Sequence, residues 1–252
     1  MNIRKLFTFS TAFLAIAFFA AGSAKAETIV VTSGATIVST DFSDAGFTKS
    51  GNTASGFTWD DVTGVTAPAT SLSVFDNATD AALSFFDVRA NQMDVNENIG
   101  GGGTWRSSFN LVLDGSTSYI DLTSFDLVID LTTGTGGNQA NTSNKDGIWT
   151  VNIVGSGSYN GTASVTIGNY TSVTGQAVSV DLSSLPNLTN AETYTFTFDV
   201  IADASDTDWG HNISVDSLSL TGDVATVIPE PSTMILAGLG LLGVTFRRRR
   251  RA

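Results

Sequence analysis

Few residues in this chain could do chemistry, and that scarcity narrows the options. His211 is the only histidine, and there is no cysteine. A Ser-His-Asp triad would therefore have one possible base. Gly210 and Asn212 around it read as a turn, and no Gly-x-Ser-x-Gly elbow occurs. Thiol catalysis, cysteine-ligated metal and histidine-rich zinc sites are excluded. Glycoside hydrolysis needs two carboxyl groups in different environments. Glu97 and Glu192 belong to no paired motif, while Asp pairs stay open on sequence alone. The chain reads as non-enzymatic, with a secreted polysaccharide-active enzyme as the enzymatic alternative.

Binding chemistry has more to draw on. Of the 24 acidic residues, 20 are Asp, a residue that favours turns because its carboxylate bonds nearby backbone N–H groups. Asp203, Asp206 and Asp208 crowd together before Trp209. Asp206-Thr207-Asp208-Trp209-Gly210 opens like a calcium loop, but its twelfth position is Ser217 instead of a bidentate acid. It reads as an Asp-rich turn. Sugar binding would need exposed aromatic platforms beside hydrogen-bonding groups. Trp59, Trp105 and Trp209 sit beside Gly, Asp, Arg or Asn. Trp105, next to Arg106 and the run Gly100 to Gly103, and Trp209 are the carbohydrate-binding candidates; Trp149 fits a strand pattern and is expected in the core.

The elements that must position these groups are strands. Apolar residues alternate at Phe109, Leu111 and Leu113, at Phe125, Leu127, Ile129 and Leu131, and at Trp149, Val151 and Ile153. Val178, Val180 and Leu182 follow, then Tyr194, Phe196, Phe198 and Val200. Period-two alternation buries one face and wets the other, which suits antiparallel sheets. With no comparable amphipathic helix between residues 27 and 223, the body is expected to be all-β: one antiparallel β-sandwich of jelly-roll type. Asn91 to Gly103 and Gly134 to Gly147 read as long irregular loops. Near Asp216 the alternation changes phase, since Ile213 and Val215 are odd-numbered and Leu218 and Leu220 even. An extra residue in the strand would explain this and would re-aim the Asp216 carboxylate.

Two segments of the body resemble the end strands of carbohydrate-binding-module jelly rolls: Trp209-Gly210-His211-Asn212-Ile213-Ser214-Val215-Asp216-Ser217-Leu218-Ser219-Leu220 and Thr40-Asp41-Phe42-Ser43-Asp44-Ala45-Gly46-Phe47. The resemblance implies a structural Ca²⁺ with Asp216 as a ligand and Asp41 or Asp44 beside it, hard oxygens of the kind this ion takes.

Both ends of the chain carry addresses. Arg4 and Lys5 precede an apolar run from Leu6 to Ala21, and Ala24-Lys25-Ala26 gives the small-x-small pattern of signal-peptide cleavage. Residues 1–26 are thus expected to leave, with Glu27 as the first mature residue. At the other end, Pro229-Glu230-Pro231 precedes an apolar stretch from Met234 to Phe246 and five arginines, Arg247, Arg248, Arg249, Arg250 and Arg251. As a helix, those 13 residues span roughly 20 Å, short of a hydrocarbon core of about 30 Å. Gly238, Gly240 and Gly243 loosen it further. Arginine snorkelling extends its reach, and the positive block stays on the cytoplasmic side.

This tail resembles the PEP-CTERM sorting signal of Gram-negative bacteria. The resemblance implies an exosortase-type membrane peptidase as partner, transient anchoring in the inner membrane, and a cell-surface or extracellular-matrix destination associated with exopolysaccharide or biofilm. The expected organisation is a signal peptide (1–26), a β-sandwich domain (27–223) and a sorting signal with one short transmembrane helix (224–252).

With the ends set aside, only Lys49, Arg89, Arg106 and Lys145 remain basic, against 24 acids from Glu27 to Glu230, a formal charge of −20. Such a surface repels nucleic acid and keeps an exported protein soluble. Three functions fit these observations: an exported surface or matrix protein, a carbohydrate-binding module, and the enzyme named above.

Overall fold

The computed structural model describes residues 27–76, 79–83, 86–89, 92–95, 104–133, 137–140, 142, 146–190, 192–201 and 212–229. The chain divides into two compact units. Met1–Ile29 with Val227–Ala252 forms one, and Val30–Thr226 forms the other. In the first, only residues 27–29 and 227–229 are described.

The described residues form strands and no helix. The first half of the chain gives β1 (Glu27–Thr40), β2 (Thr48–Ser50), β3 (Thr53–Ser55), β4 (Asp61–Val62), β5 (Val65–Thr66), β6 (Ser71–Asp76), β7 (Phe86–Arg89) and β8 (Gln92–Val95). The second half gives β9 (Thr104–Leu113), β10 (Thr117–Thr132), β11 (Gly147–Gly155), β12 (Asn160–Ile167), β13 (Gln176–Asp181), β14 (Leu188–Thr189), β15 (Thr193–Ile201) and β16 (Asn212–Pro229). They assemble into two antiparallel sheets. One runs β13-β10-β16-β1-β4, with β14 on β10 and β8 on β16 carrying β7. The other runs β12-β11-β15-β9-β6-β3-β2, with β5 on β9.

The alternating residues face inward as their spacing predicts. Phe125, Leu127, Ile129 and Leu131 of β10 are buried, as are Tyr194, Phe196, Phe198 and Val200 of β15 and Trp149, Val151 and Ile153 of β11. Phe125 of one sheet meets Phe198 of the other, ring centroids 5.4 Å apart. The body is a β-sandwich closed over one apolar cluster.

Two features depart from the reading of the sequence. Gln92–Val95 lies in the stretch expected as a loop, yet it is a strand: Ile213, Ser214 and Val215 of β16 pair with Val95, Asp94 and Met93. Its own alternation of Gln92, Met93, Asp94 and Val95 is too brief to stand out beside the glycine run. Strand β16 also continues past residue 223, so the sheet reaches Pro229.

The core contains a polar clasp. Trp149 Nε1 donates to Tyr170 Oη at 2.9 Å with both side chains buried. A Cβ on Gly147 would collide with that hydroxyl, so a bare residue at the start of β11 makes room for it. Burial raises the Tyr170 phenol far above its ordinary range, and the Trp149 hydrogen bond opposes only part of that rise. Tyr170→Phe would leave a buried indole N–H without its acceptor. It should destabilise the protein by about 1–3 kcal/mol, read as a lower urea midpoint with an unchanged m-value.

Candidate functional site

The sheet containing β10 and β16 carries a row of polar groups on the face turned away from the core. Asp87 of β7, Asp94 of β8, Ser214 of β16 and Asp130 of β10 stand directly opposite one another in register. Their chain neighbours Met93, Val95, Ile213, Val215, Ile129 and Leu131 fill the core on the other side. The row is covered: Asp94 and Ser214 are fully buried, and Asp130 is 9% exposed. Asp94 Oδ1 accepts from Ser214 Oγ at 2.8 Å and from Thr132 Oγ1 at 3.0 Å. Asp130 Oδ1 accepts from the Gly175 backbone N–H at 2.8 Å, and its Oδ2 accepts from Gln92 Nε2 at 2.9 Å.

Asp216 enters this row through a bulge. Register slips between the pairs Val128↔Ser217 and Ile129↔Val215, which leaves Asp216 as the extra residue. The phase change in the sequence predicts this bulge and the re-aimed carboxylate. Burial, followed by the charge of Asp130 and a hydrogen bond with that carboxyl, pushes Asp216 up to about 7; a hydrogen bond from Gln92 pulls it back in part. Two N–H groups point at Asp130, whereas Asp216 Oδ1 is buried without a hydrogen-bond partner.

The other predicted site residues scatter. Asp41 is exposed, and its Oδ1 accepts from Ser43 N at 2.9 Å; hydrogen bonds from Ser43 hold its carboxyl below the usual range. Asp44 accepts from Thr58 N at 2.5 Å and Thr58 Oγ1 at 3.0 Å. Asp41 closes a local turn, whereas Asp44 ties its segment to Thr58, 14 residues further on. Among the described residues, no group of three or more Asp, Glu or His side chains is arranged to hold a metal ion, so Asp41, Asp44 and Asp216 do not converge as the resemblance implies.

Trp105 corrects a second expectation. It is fully buried, edge-on to Trp149 at 6.1 Å and to Phe198 at 6.0 Å. It shares the inward face of β9 with Phe109 and Leu111 and offers no exposed platform. Its neighbour Arg106 pairs with Asp80 at 2.6 Å and lies over the Phe75 ring at 5.9 Å. Trp59, 9% exposed, packs between Phe57 and Phe109. Trp209, Ala24, Ala26, Glu230, Pro231 and Arg247 to Arg251 lie outside the described residues.

A cleft of about 340 Å³ opens where the β11–β12 turn meets the segment joining β13 to β15. Tyr194 is buried at its base, its hydroxyl accepting from Thr189 N at 2.7 Å and donating to Thr189 O at 3.0 Å. Tyr159 stands half-buried and edge-on to Tyr194, ring centroids 5.2 Å apart, and donates to Pro186 O at 2.8 Å. Burial, with a smaller contribution from Tyr194, pushes the Tyr159 phenol up to about 12, so it is a neutral donor at any physiological pH. Glu192 accepts from Gly157 N at 3.1 Å and Ser158 N at 3.4 Å. Cβ atoms on Gly155 or Gly157 would run into its carboxylate. Asn160 and Asn187 are exposed at the cleft and add free-standing amides. Nothing in the local sequence marks this cleft, because its two walls are brought together by strand pairing.

Comparison with known proteins addresses the end of the chain. Residues 227–251 match the PEP-CTERM protein-sorting motif. The motif implies an exported protein, anchored in the membrane by its C-terminal tail until an exosortase processes it. The body has weaker likenesses. TmCBM61, a carbohydrate-binding module solved with β-1,4-galactotriose, is 10% identical over 59% of this chain and 80% of its own, with a TM-score of 0.28. The enzymatically active domain of tailspike protein 4 of bacteriophage CBA120 is 11% identical over 80% of this chain, which spans 19% of that protein, also at a TM-score of 0.28. No curated protein matches the chain. The PEP-CTERM tail is thus the similarity that bears on function.

Two carboxyls, Asp216 and Asp199, generate a pH dependence. Asp216, at about 7, and Asp199, which burial raises to about 6 against the pull of Arg106, both titrate above their ordinary value of 3.8. Between these values the folded state binds more protons than the unfolded chain, so stability falls as pH rises from about 4 to about 7 and levels off above. Asp216→Asn should flatten most of that fall when urea midpoints are compared at acidic and mildly alkaline pH. A profile identical to that of the parent would show that Asp216 does not titrate in this range.

Proposed function

We propose that this protein is a non-enzymatic component of the cell surface or extracellular matrix, delivered by its PEP-CTERM tail and associated with extracellular polysaccharide. The observation that carries the reading is the sorting motif over residues 227–251. It follows a body of formal charge −20 from Glu27 to Glu230 with no cysteine. An acidic surface keeps copies apart in solution, and a fold without disulfides needs no oxidising catalyst after export. A single histidine and no thiol leave little for nucleophilic catalysis, which favours a binding or scaffolding role over turnover.

The handover from body to tail supports the reading. Pro229 ends β16, and Glu230 and Pro231 follow immediately in the sequence. The apolar run from Met234 is too short for a comfortable permanent span, whereas a tail destined for removal needs only to hold for a time. Glu230→Ala leaves the described strands untouched and tests this directly. In fractionated cells, most of the variant should remain with the inner membrane at precursor length, while the parent appears outside the cell in a shorter form. Equal release of the two would contradict sorting through the tripeptide.

A further inference from the structure

We propose that the cleft between the β11–β12 turn and the β13–β15 segment is a subsite for a unit of a non-acidic saccharide, neutral or amine-bearing. The inference rests on the polysaccharide association proposed above and names where and what the protein would bind.

Shape and stiffness come first. A volume of about 340 Å³ lies at the small end of ligand pockets and suits one or two sugar rings. Both tyrosine hydroxyls are committed to backbone partners, Tyr159 to Pro186 and Tyr194 to Thr189. The rings are therefore set before a ligand arrives, and binding costs little side-chain entropy. Glu192 is likewise held by two backbone N–H groups of the turn. A side chain at Gly155 or Gly157 would push its carboxylate away.

The chemistry of the walls then selects the ligand. A sugar ring presents C–H groups on its faces and hydroxyls at its edge. The half-buried Tyr159 ring offers an apolar surface for the former. For the latter, Asn160 and Asn187 each bring a donor and an acceptor, and a carboxylate has about four lone-pair positions, of which the turn uses two at Glu192. Charge sets the class. Among the described residues, no Lys or Arg lines the cleft and Glu192 is its one carboxylate, and the surrounding body carries −20. Uronate or sulfate polymers meet repulsion there, neutral sugars do not, and an amino sugar gains a partner in Glu192.

Isothermal titration of the full-length protein in detergent tests the proposal with three probes: a β-1,4-glucose hexamer, a glucosamine hexamer and alginate. Sedimentation with the exopolysaccharide of the producing cells forms a second arm. The proposal expects a hexamer to bind, the glucosamine form more tightly, and alginate not to bind. Asn160→Ala with Asn187→Ala, both exposed and safe for folding, should weaken binding by about tenfold or more. Tyr159→Ala should weaken it as well, and Glu192→Gln should remove the preference for the amine. Three results would overturn the site: hexamer binding unchanged in the Asn variants, preference for alginate, or sedimentation with native polysaccharide while neither hexamer binds. In each of those cases the matrix reading survives. Failure of every probe and of the native polysaccharide would overturn the matrix reading itself.

Discussion

Everything in this fold depends on the aromatic and aliphatic layer between the two sheets. No cysteine is present to staple them, so burial between the sheets holds them together. Phe125 against Phe198 bridges the sheets. On the β9–β15–β11 side, Trp105 sits edge-on to Trp149 and Phe198, and Phe109 stacks on Phe196 at 5.3 Å. These rings combine large buried area with preferred edge-on and offset geometries. The layer therefore sets which face of every long strand points inward. That orientation turns Asp94, Asp130 and Asp199 away from the apolar layer, although all three are buried.

Where the inward pattern breaks, polar structure appears. On β16, one residue too many turns Asp216 toward Asp130 while Val215 and Leu218 both keep their places in the core. The carboxyl pair sits beside Gln92 of β8 and is capped by Gly175 from the β12–β13 loop. Three strands and a loop thus meet at one pair of carboxyl groups. At the edge of the sandwich, Glu192 does comparable work by gathering the β11–β12 turn around its carboxylate. Both are local concentrations of charge on a scaffold fixed by apolar packing.

The strands that build the core were legible because their period of two is a direct consequence of burying one face. The bulge was legible too, since a change of phase between Val215 and Leu218 has few other physical causes. The partner of Asp216 was not legible, because β10 and β16 are far apart in the chain and alternation says nothing about which strands adjoin. Trp105 was misplaced by its neighbours: the glycine run and Arg106 suggested exposure, although Trp105, Phe109 and Leu111 share one parity. Ser107, which is fully buried, interrupts that series and hides it. The cleft left no trace for a similar reason, since Tyr159 and Asn187 meet only after β11 pairs with β15. Local periodicity encodes faces; sites assembled across strands need the topology.

The tail and the body express opposite electrostatics, five arginines following a region of −20. We propose that the two are joined only for transit: the basic tail holds an acidic β-sandwich at the membrane until an exosortase processes it. Intact-mass spectrometry of the protein recovered from outside the cell tests this most directly. The account predicts a species that starts at Glu27 and lacks Arg247 to Arg251. An extracellular species still ending in Ala252 would contradict it.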